Sequence, residues 1–413
     1  MQQTLSDLCT LISQQVDPRM TPDDLYIGLE HIAPARLDRE SGGIAADVQS
    51  SKFRFVPGDV LYSKLRPYLD KAILADSDGI CTTELLVLRA NEGIDPRYLA
   101  AVVHAPDFIE HAVAGTTGSQ HPRTSWHQIA AFPIPVLKAE EQEFFAYIVW
   151  NVHRALRACE SAMAAAQELK RAVMGEVFTR GLRGEALKDS EIGPVPESWD
   201  VVPLGGLGRV GNGSTPKKSI GDYWSGGTFP WLTSAKVYDR NIVKADQFVT
   251  ELALSECHLP IVQPGAILIA ITGQGKTLGH CAVLDIAATT NQHIAYIATN
   301  MSKAVPSFVR GYLETQYDYF RQVGSGGGST KGALTCAFLR DLPIPLPPTL
   351  AEQSEITAIL DAIDAKIDLH KRKKAVLEEL FRALLHKLMT GTIRVADLEL
   401  SALDAENFVG AKG

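Results

Sequence analysis

Residues 342–353 read LPIPLPPTLAEQ, and residues 132–142 read FPIPVLKAEEQ. A helical pattern follows each copy and runs about 40 residues without a break. After the later copy, Ile356, Leu360, Ile363, Ile367, Leu377, Phe381, Leu384 and Leu388 keep one phase in alternating steps of four and three. That is a heptad seam rather than the wider stripe of a globular helix. His370 and Lys374 place two polar residues on the same seam. A shift of 211 residues maps the seam onto Phe145, Val149, Val152, Leu156, Cys159, Met163, Ala166, Lys170, Val173 and Val177. Thr349 and Glu352 have capping-box spacing, and Gly181 and Gly391 stand where the two helices should stop. A helix of about 40 residues is ~60 Å long, too long for a small domain to bury. Two such helices in one chain predict an intramolecular coiled coil.

The repetition extends upstream of the helices. VPGDVLYSKLRPYLDKAILAD (56–76) matches QPGAILIAITGQGKTLGHCAVLD (263–285), each reading as strand, polar loop, strand. CTTELLVLRA (81–90) matches ATTNQHIAYIA (288–298), and DLYIGLEHI (24–32) matches FPWLTSAKV (229–237). Short alternating strands with Pro-Gly and Asp-Gly turns predict an α+β fold, not a doubly wound parallel sheet. The expected organisation is a first recognition-type domain over 1–137, a helical region over 138–183, an extended linker over 184–200, a second domain over 201–348, a second helical region over 349–392 and a tail over 393–413.

Bulk numbers narrow the function classes. The 413 residues are 46% hydrophobic and 21% charged, ordinary values for folded domains. No apolar run is long enough to span a bilayer, and Met1–Gln15 lacks the pattern of a secretion signal, so a cytoplasmic protein without membrane association is expected. The six cysteines show no metal spacing and read as reduced, buried thiols. The net charge of −8 argues against a free-standing nucleic-acid binder. Residues 1–138 carry 12 Lys/Arg and 17 Asp/Glu, whereas residues 200–350 carry 12 and 10. Any DNA affinity must therefore come from local loops or from partners.

Two nucleotide-binding signals fail on context. Gly206, Gly208 and Gly211 fit GxGxxG, but NGSTPKK follows where a helix is required. Gly275-Lys276-Thr277 ends like a P-loop, but Ala270 occupies its first glycine position and a strand follows. No HExxH, GxSxG or methyltransferase loop is present, and no constellation suggests catalysis.

Loops rich in Gly, Ser, Thr, Gln, Lys and Arg recur at matching points of both halves. Glycine lets backbone approach phosphate, Lys and Ser contact phosphate oxygens, and Arg or Gln can pair with base edges. The candidate DNA-contacting residues of the first domain are Lys64, Arg66, Tyr68, Thr117, Ser119, Gln120, His121 and Arg123. Those of the second are Lys217, Lys218, Tyr223, Trp224, Thr272, Gln274, Lys276, Ser329, Thr330 and Lys331. Any single loop could be an ordinary turn. Matching positions with different sequences are what two different half-sites would require.

With these motifs and the KDSEIGPVPESW segment (188–199), the chain resembles the specificity subunits of type I restriction–modification enzymes along essentially its whole length. The resemblance implies two recognition domains, two long helices paired antiparallel, and a bipartite, asymmetric site on double-stranded DNA. It implies two modification subunits that methylate adenine with S-adenosylmethionine, and restriction subunits that use ATP and Mg, so that this chain binds no cofactor and is not catalytic. In the antiparallel pairing it implies, Phe145 lies opposite Leu388, Met163 opposite His370, and Cys159 opposite Lys374. An enzyme acting alone and a scaffold that does not read DNA remain the competing classes. No Pro-Glu-x-Trp motif precedes the first domain, which begins at Leu5-Ser-Asp-Leu.

Overall fold

A computed structural model describes residues 3–118, 120–273, 276–325 and 333–392. Ser119, Gln274, Ser329, Thr330, Lys331 and the tail from 393 lie outside the described residues. Residues up to Ala162 together with those from His370 form one compact unit, and Met163–Leu369 form the other. The division falls inside both long helices, Ala139–Arg180 and Leu350–Met389.

In the first unit four antiparallel strands lie in the order Cys9–Ile12, Leu85–Ala90, Asp59–Ser63, Ala72–Leu74. Alternation divides their side chains between two faces. Val60, Tyr62, Leu86 and Leu88 join a core with the helices Pro96–Val102 and Pro106–Ala114, while Leu61, Ile73, Leu85 and Val87 face a second core with Ile27 and Phe55. Burial on both faces explains why these strands read as unbroken apolar runs. The second sheet contains a parallel pair, Leu25–Ile27 with Gly79–Cys81.

The second unit repeats the plan. Its strands Gly208–Asn212, Ile294–Thr299, Ile267–Ala270 and Cys281–Leu284 follow the same order. Phe229–Leu232 pairs in parallel with Thr289–Thr290. Entry and exit strands also match: Gln3–Thr4 pairs with Pro133–Ile134, and Asp200–Pro203 with Pro343–Leu346. Each entry strand leads into a one-turn helix, Leu5–Leu8 or Leu204–Leu207, whose leucines are buried. The first domain therefore closes in the same way as the second. Two glycines of the GxGxxG decoy serve close strand contact. A Cβ at Gly208 would stand 2.3 Å from the Ala298 carbonyl oxygen, and one at Gly211 would stand 2.5 Å from the Tyr296 hydroxyl.

Three local expectations need correction. The extended linker is a hairpin of Leu187–Ser190 with Gly193–Pro196, and Trp199 behind it is fully buried. Gly181 makes room for it by ending the first long helix at φ +64°; a Cβ there would come 3.1 Å from both Pro196 and Trp199. The capping box forms only one arm, in which Glu352 N–H donates to Thr349 Oγ1 at 3.2 Å; the Glu352 carboxylate has a buried oxygen without a partner. On the second long helix the heptad seam is tight only toward the ends, whereas Leu156, Cys159 and Ala166 stay buried in the middle of the first. Ile363, Ile367, His370 and Lys374 are half-buried, whereas Phe144, Met174, Phe178, Leu385 and Met389, all off the predicted seam, are buried. Near its ends each helix meets a domain as well as its partner helix, so apolar residues come in adjacent pairs there.

Within each unit the helices run antiparallel. In the first, Phe145 and Val149 share a core with Phe381, Leu385 and Leu388, and Lys374 Nζ meets Glu160 at 2.9 Å. In the second, Val177 and Phe178 share a core with Ile356 and Leu360, and Lys170 Nζ meets Asp364 at 3.0 Å. One arginine at the same point of each domain joins these pairs. Arg36, bridged to Lys71, reaches Glu160 at 2.5 Å; Arg240, beside the strand Asn241–Ile242, reaches Asp364 at 2.7 Å and also pairs with Asp361.

The repeated glutamine of the opening motif has a matching role in both units. Gln353 Oε1 accepts the Val305 N–H at 2.8 Å, and Gln142 Oε1 accepts the Asp95 N–H at 3.2 Å. Val305 and Asp95 are the N-caps of equivalent domain helices. Each long helix is thus fastened to its own domain through one buried amide.

Candidate nucleic-acid interface

Three loops converge in each domain, and the same backbone hydrogen bonds hold them. In the first, Lys64 N–H donates to Glu84 O at 3.1 Å and Thr124 N–H donates to Lys64 O at 3.0 Å, with a bridge between Leu65 and Arg123. In the second, Ile271 N–H donates to His293 O at 3.0 Å and Leu334 N–H donates to Ile271 O at 2.8 Å, with a bridge between Thr272 and Ala333. Lys64 thus corresponds to Ile271, Leu65 to Thr272, Glu84 to His293 and Arg123 to Ala333. Identical backbone wiring carries different side chains.

The first cluster is cationic with one acid at its centre. Arg66 sits at φ +50°, and its N–H donates to Pro122 O at 2.8 Å. Its Nη2 lies 3.4 Å from His121 Nδ1. Thr117 and Arg123 exchange both backbone hydrogen bonds at 3.0 Å. Arg123 donates to Glu84 through Nε at 3.0 Å and Nη2 at 3.4 Å. Tyr68 and Gln120 are exposed, and Lys64 is half-exposed. Of the predicted residues of this domain, Lys64, Arg66, Thr117, His121 and Arg123 come together.

The second cluster is a neutral polar chain. The Thr215 hydroxyl donates to Gln292 Oε1 at 2.5 Å, and Gln292 Nε2 donates to His293 Nε2 at 3.2 Å. An amide nitrogen cannot accept, so in the neutral imidazole the proton stands on Nδ1. That nitrogen lies 2.6 Å from Thr272 Oγ1 and donates to it, which leaves the threonine proton free to point outward. Lys217, Lys218 and Lys276 expose their side chains. Tyr223 and Trp224 are used differently from the prediction. They pack on a satellite cluster with Trp231 and Val249; the Tyr223 hydroxyl donates to Glu256 at 2.8 Å, and its pKa is pushed up to about 12 by that carboxylate. Trp224 Nε1 donates to Lys217 O at 3.3 Å, so this pair shapes the lysine loop.

Sequence reasoning passed over Glu84, Gln292 and His293, and took Thr215 only as part of the loop 213–218. The signal was there: Glu84 and Gln292-His293 are polar breaks at the same aligned point ahead of an apolar strand. Among the described residues, no group of three or more His, Cys, Asp or Glu could hold a metal ion. No helix among them is long and apolar enough to cross a membrane.

Residues 196–379 match the family described as type I restriction modification DNA specificity domain. The chain is 25% identical over 410 residues to a Methanocaldococcus jannaschii protein assigned as the specificity subunit of type I restriction enzyme MjaX, covering 95% of this chain and 93% of that protein. The specificity subunit of enzyme MjaIX from the same organism is 31% identical over 199 residues, 47% of this chain and 44% of the relative. In fold, the chain is similar to the crystal structure of the type I restriction–modification S subunit from M. genitalium, with TM-score 0.61, 15% identity, and coverage of 94% and 96% of the two chains.

Proposed function

We propose that this chain is a specificity subunit of a type I restriction–modification enzyme and that it reads a bipartite, asymmetric DNA site, one half with each domain. The observation that carries the proposal is the repeated loop lattice. Two domains hold equivalent loops by the same backbone bonds, yet present Glu84 with Arg123 in one and His293 with Thr272 in the other. A shared scaffold with unlike side chains suits two unlike half-sites. The chain supplies recognition and not chemistry. Two modification subunits bring S-adenosylmethionine, restriction subunits bring ATP and Mg, and the assembly works in the cytoplasm. With a net charge of −8, the isolated chain binds DNA weakly, because most phosphate contacts belong to the modification subunits.

The test is to map methylated adenines in cells expressing this chain with its modification subunits. Exchanging residues 1–131 for those of another family member should change one half of the motif. A change in both halves, or in neither, sinks the modular reading. Methylation by the purified chain alone would favour the enzyme class instead.

A further inference from the structure

Arg123 and Glu84 form a unit unlike anything at the matching point of the second domain. The backbone of Arg123 is held on both sides: it exchanges two hydrogen bonds with Thr117, while its neighbours Pro122 and Thr124 bond to Arg66 and Lys64. Glu84 is anchored through the same Lys64. The Arg123 side chain is 45% exposed and Glu84 29%.

A guanidinium has five N–H donors. Glu84 takes one from Nε and one from Nη2, and the His121 carbonyl takes one from Nη1 at 3.4 Å. One N–H on each terminal nitrogen is left, in a plane that the carboxylate has fixed. That fork matches the O6 and N7 acceptors of guanine in the major groove. The same fork fits two phosphate oxygens, so charge and not shape decides between the two. The Arg–Glu pair is neutral, so it gains little from the charge of the backbone, and a phosphate contact does not need the plane fixed.

We propose that Arg123 reads a guanine in the half-site of the first domain and that Glu84 is the positioning residue that aims it. This rests on the bipartite reading above. In the second domain Ala333 stands where Arg123 does and His293 where Glu84 does, so no guanidinium reads the corresponding position there.

The test uses the complete chain with its modification subunits and genome-wide mapping of methylated adenines. The wild-type motif should contain a fixed G·C pair in one half. Arg123→Ala should make that single position degenerate, with about 5- to 150-fold lost discrimination, while the other half and the spacer stay unchanged. Glu84→Gln should relax the same position less, with assembly and melting temperature preserved; a structural role for Glu84 would not move base preference at one position. Uniformly weaker methylation with an unaltered motif would make Arg123 a phosphate contact and overturn the proposal, as would relaxation elsewhere in the motif. A bipartite motif without the relaxed guanine defeats this inference alone. A motif that is not bipartite defeats the underlying reading.

Discussion

His153 shows how one buried side chain sets a pH limit on the first domain. It lies on the first long helix, 3.4 Å from Asp38, and its Nε2 accepts the Leu37 N–H at 3.4 Å. Burial, helped by Arg36, His104 and Arg157 and opposed by Asp38, lowers its pKa from 6.5 to about 4. Below pH 6.5 the unfolded chain takes up a proton at this ring that the folded chain refuses until about pH 4. The unfolded state binds more protons in that window, so stability falls as pH falls through it. Between pH 6.5 and 4.5 the loss is on the order of 2 kcal/mol, and His153→Gln should remove most of it. Urea unfolding followed by tryptophan fluorescence at several pH values measures the slope; an unchanged slope in the variant refutes the assignment. The repeated glutamines make a different residue-scale point. Gln142 and Gln353 were visible as letters of a repeated motif. Their role was not, because the backbone N–H groups they satisfy lie 47 and 48 residues away in sequence and become neighbours only in the fold. The same holds for Glu84 and Arg123, whose partnership needs loops 39 residues apart.

At the scale of elements, the two long helices and the repeated strand–loop–strand segments were legible, because heptad and two-residue periods survive in a single sequence. The polar middle of the helix pair was legible as residue types but not as contacts. Lys170 was mapped to the seam, and its partners Glu314 and Asp364 were not. The structure makes it part of a network of Lys170, Asp364, Arg240, Glu314 and Arg310, drawn from both helices and the second domain. Burial pushes the Glu314 carboxyl up, but Lys170 and Arg310 overcome it and hold the group below its ordinary range. The side chains of Lys170 and Asp364 are 12% and 13% exposed, so the network lies largely out of water. Removing one member leaves charge uncompensated. Asp364→Ala should cost about 3 kcal/mol, measured by thermal or urea unfolding. Lys170→Met with Asp364→Leu should recover much of that loss, since an apolar pair avoids the desolvation cost. A double variant no more stable than the single would show that Arg240, not the interhelical pair, dominates.

At the scale of the whole molecule, a bipartite site needs a set distance between its halves, and the two long helices are the elements long enough to fix it. Each helix is fastened to its own domain by a buried glutamine amide, and an arginine of each domain, Arg36 or Arg240, meets acids on the helices. A change in helix length should therefore be passed to the domains and not absorbed in a loop. Four residues add ~6 Å of helix and keep the heptad seam close to phase, because four residues are near one helical turn. At about 3.4 Å per base pair, that corresponds to roughly two base pairs. Insertions of four residues after Ser161 and after Arg372, beside the Glu160–Lys374 pair, lengthen both helices at one level. The expected outcome is a methylation motif with both halves unchanged and a spacer longer by about two base pairs. An unchanged spacer in a complex that still methylates would mean that partner subunits, and not these helices, fix the distance.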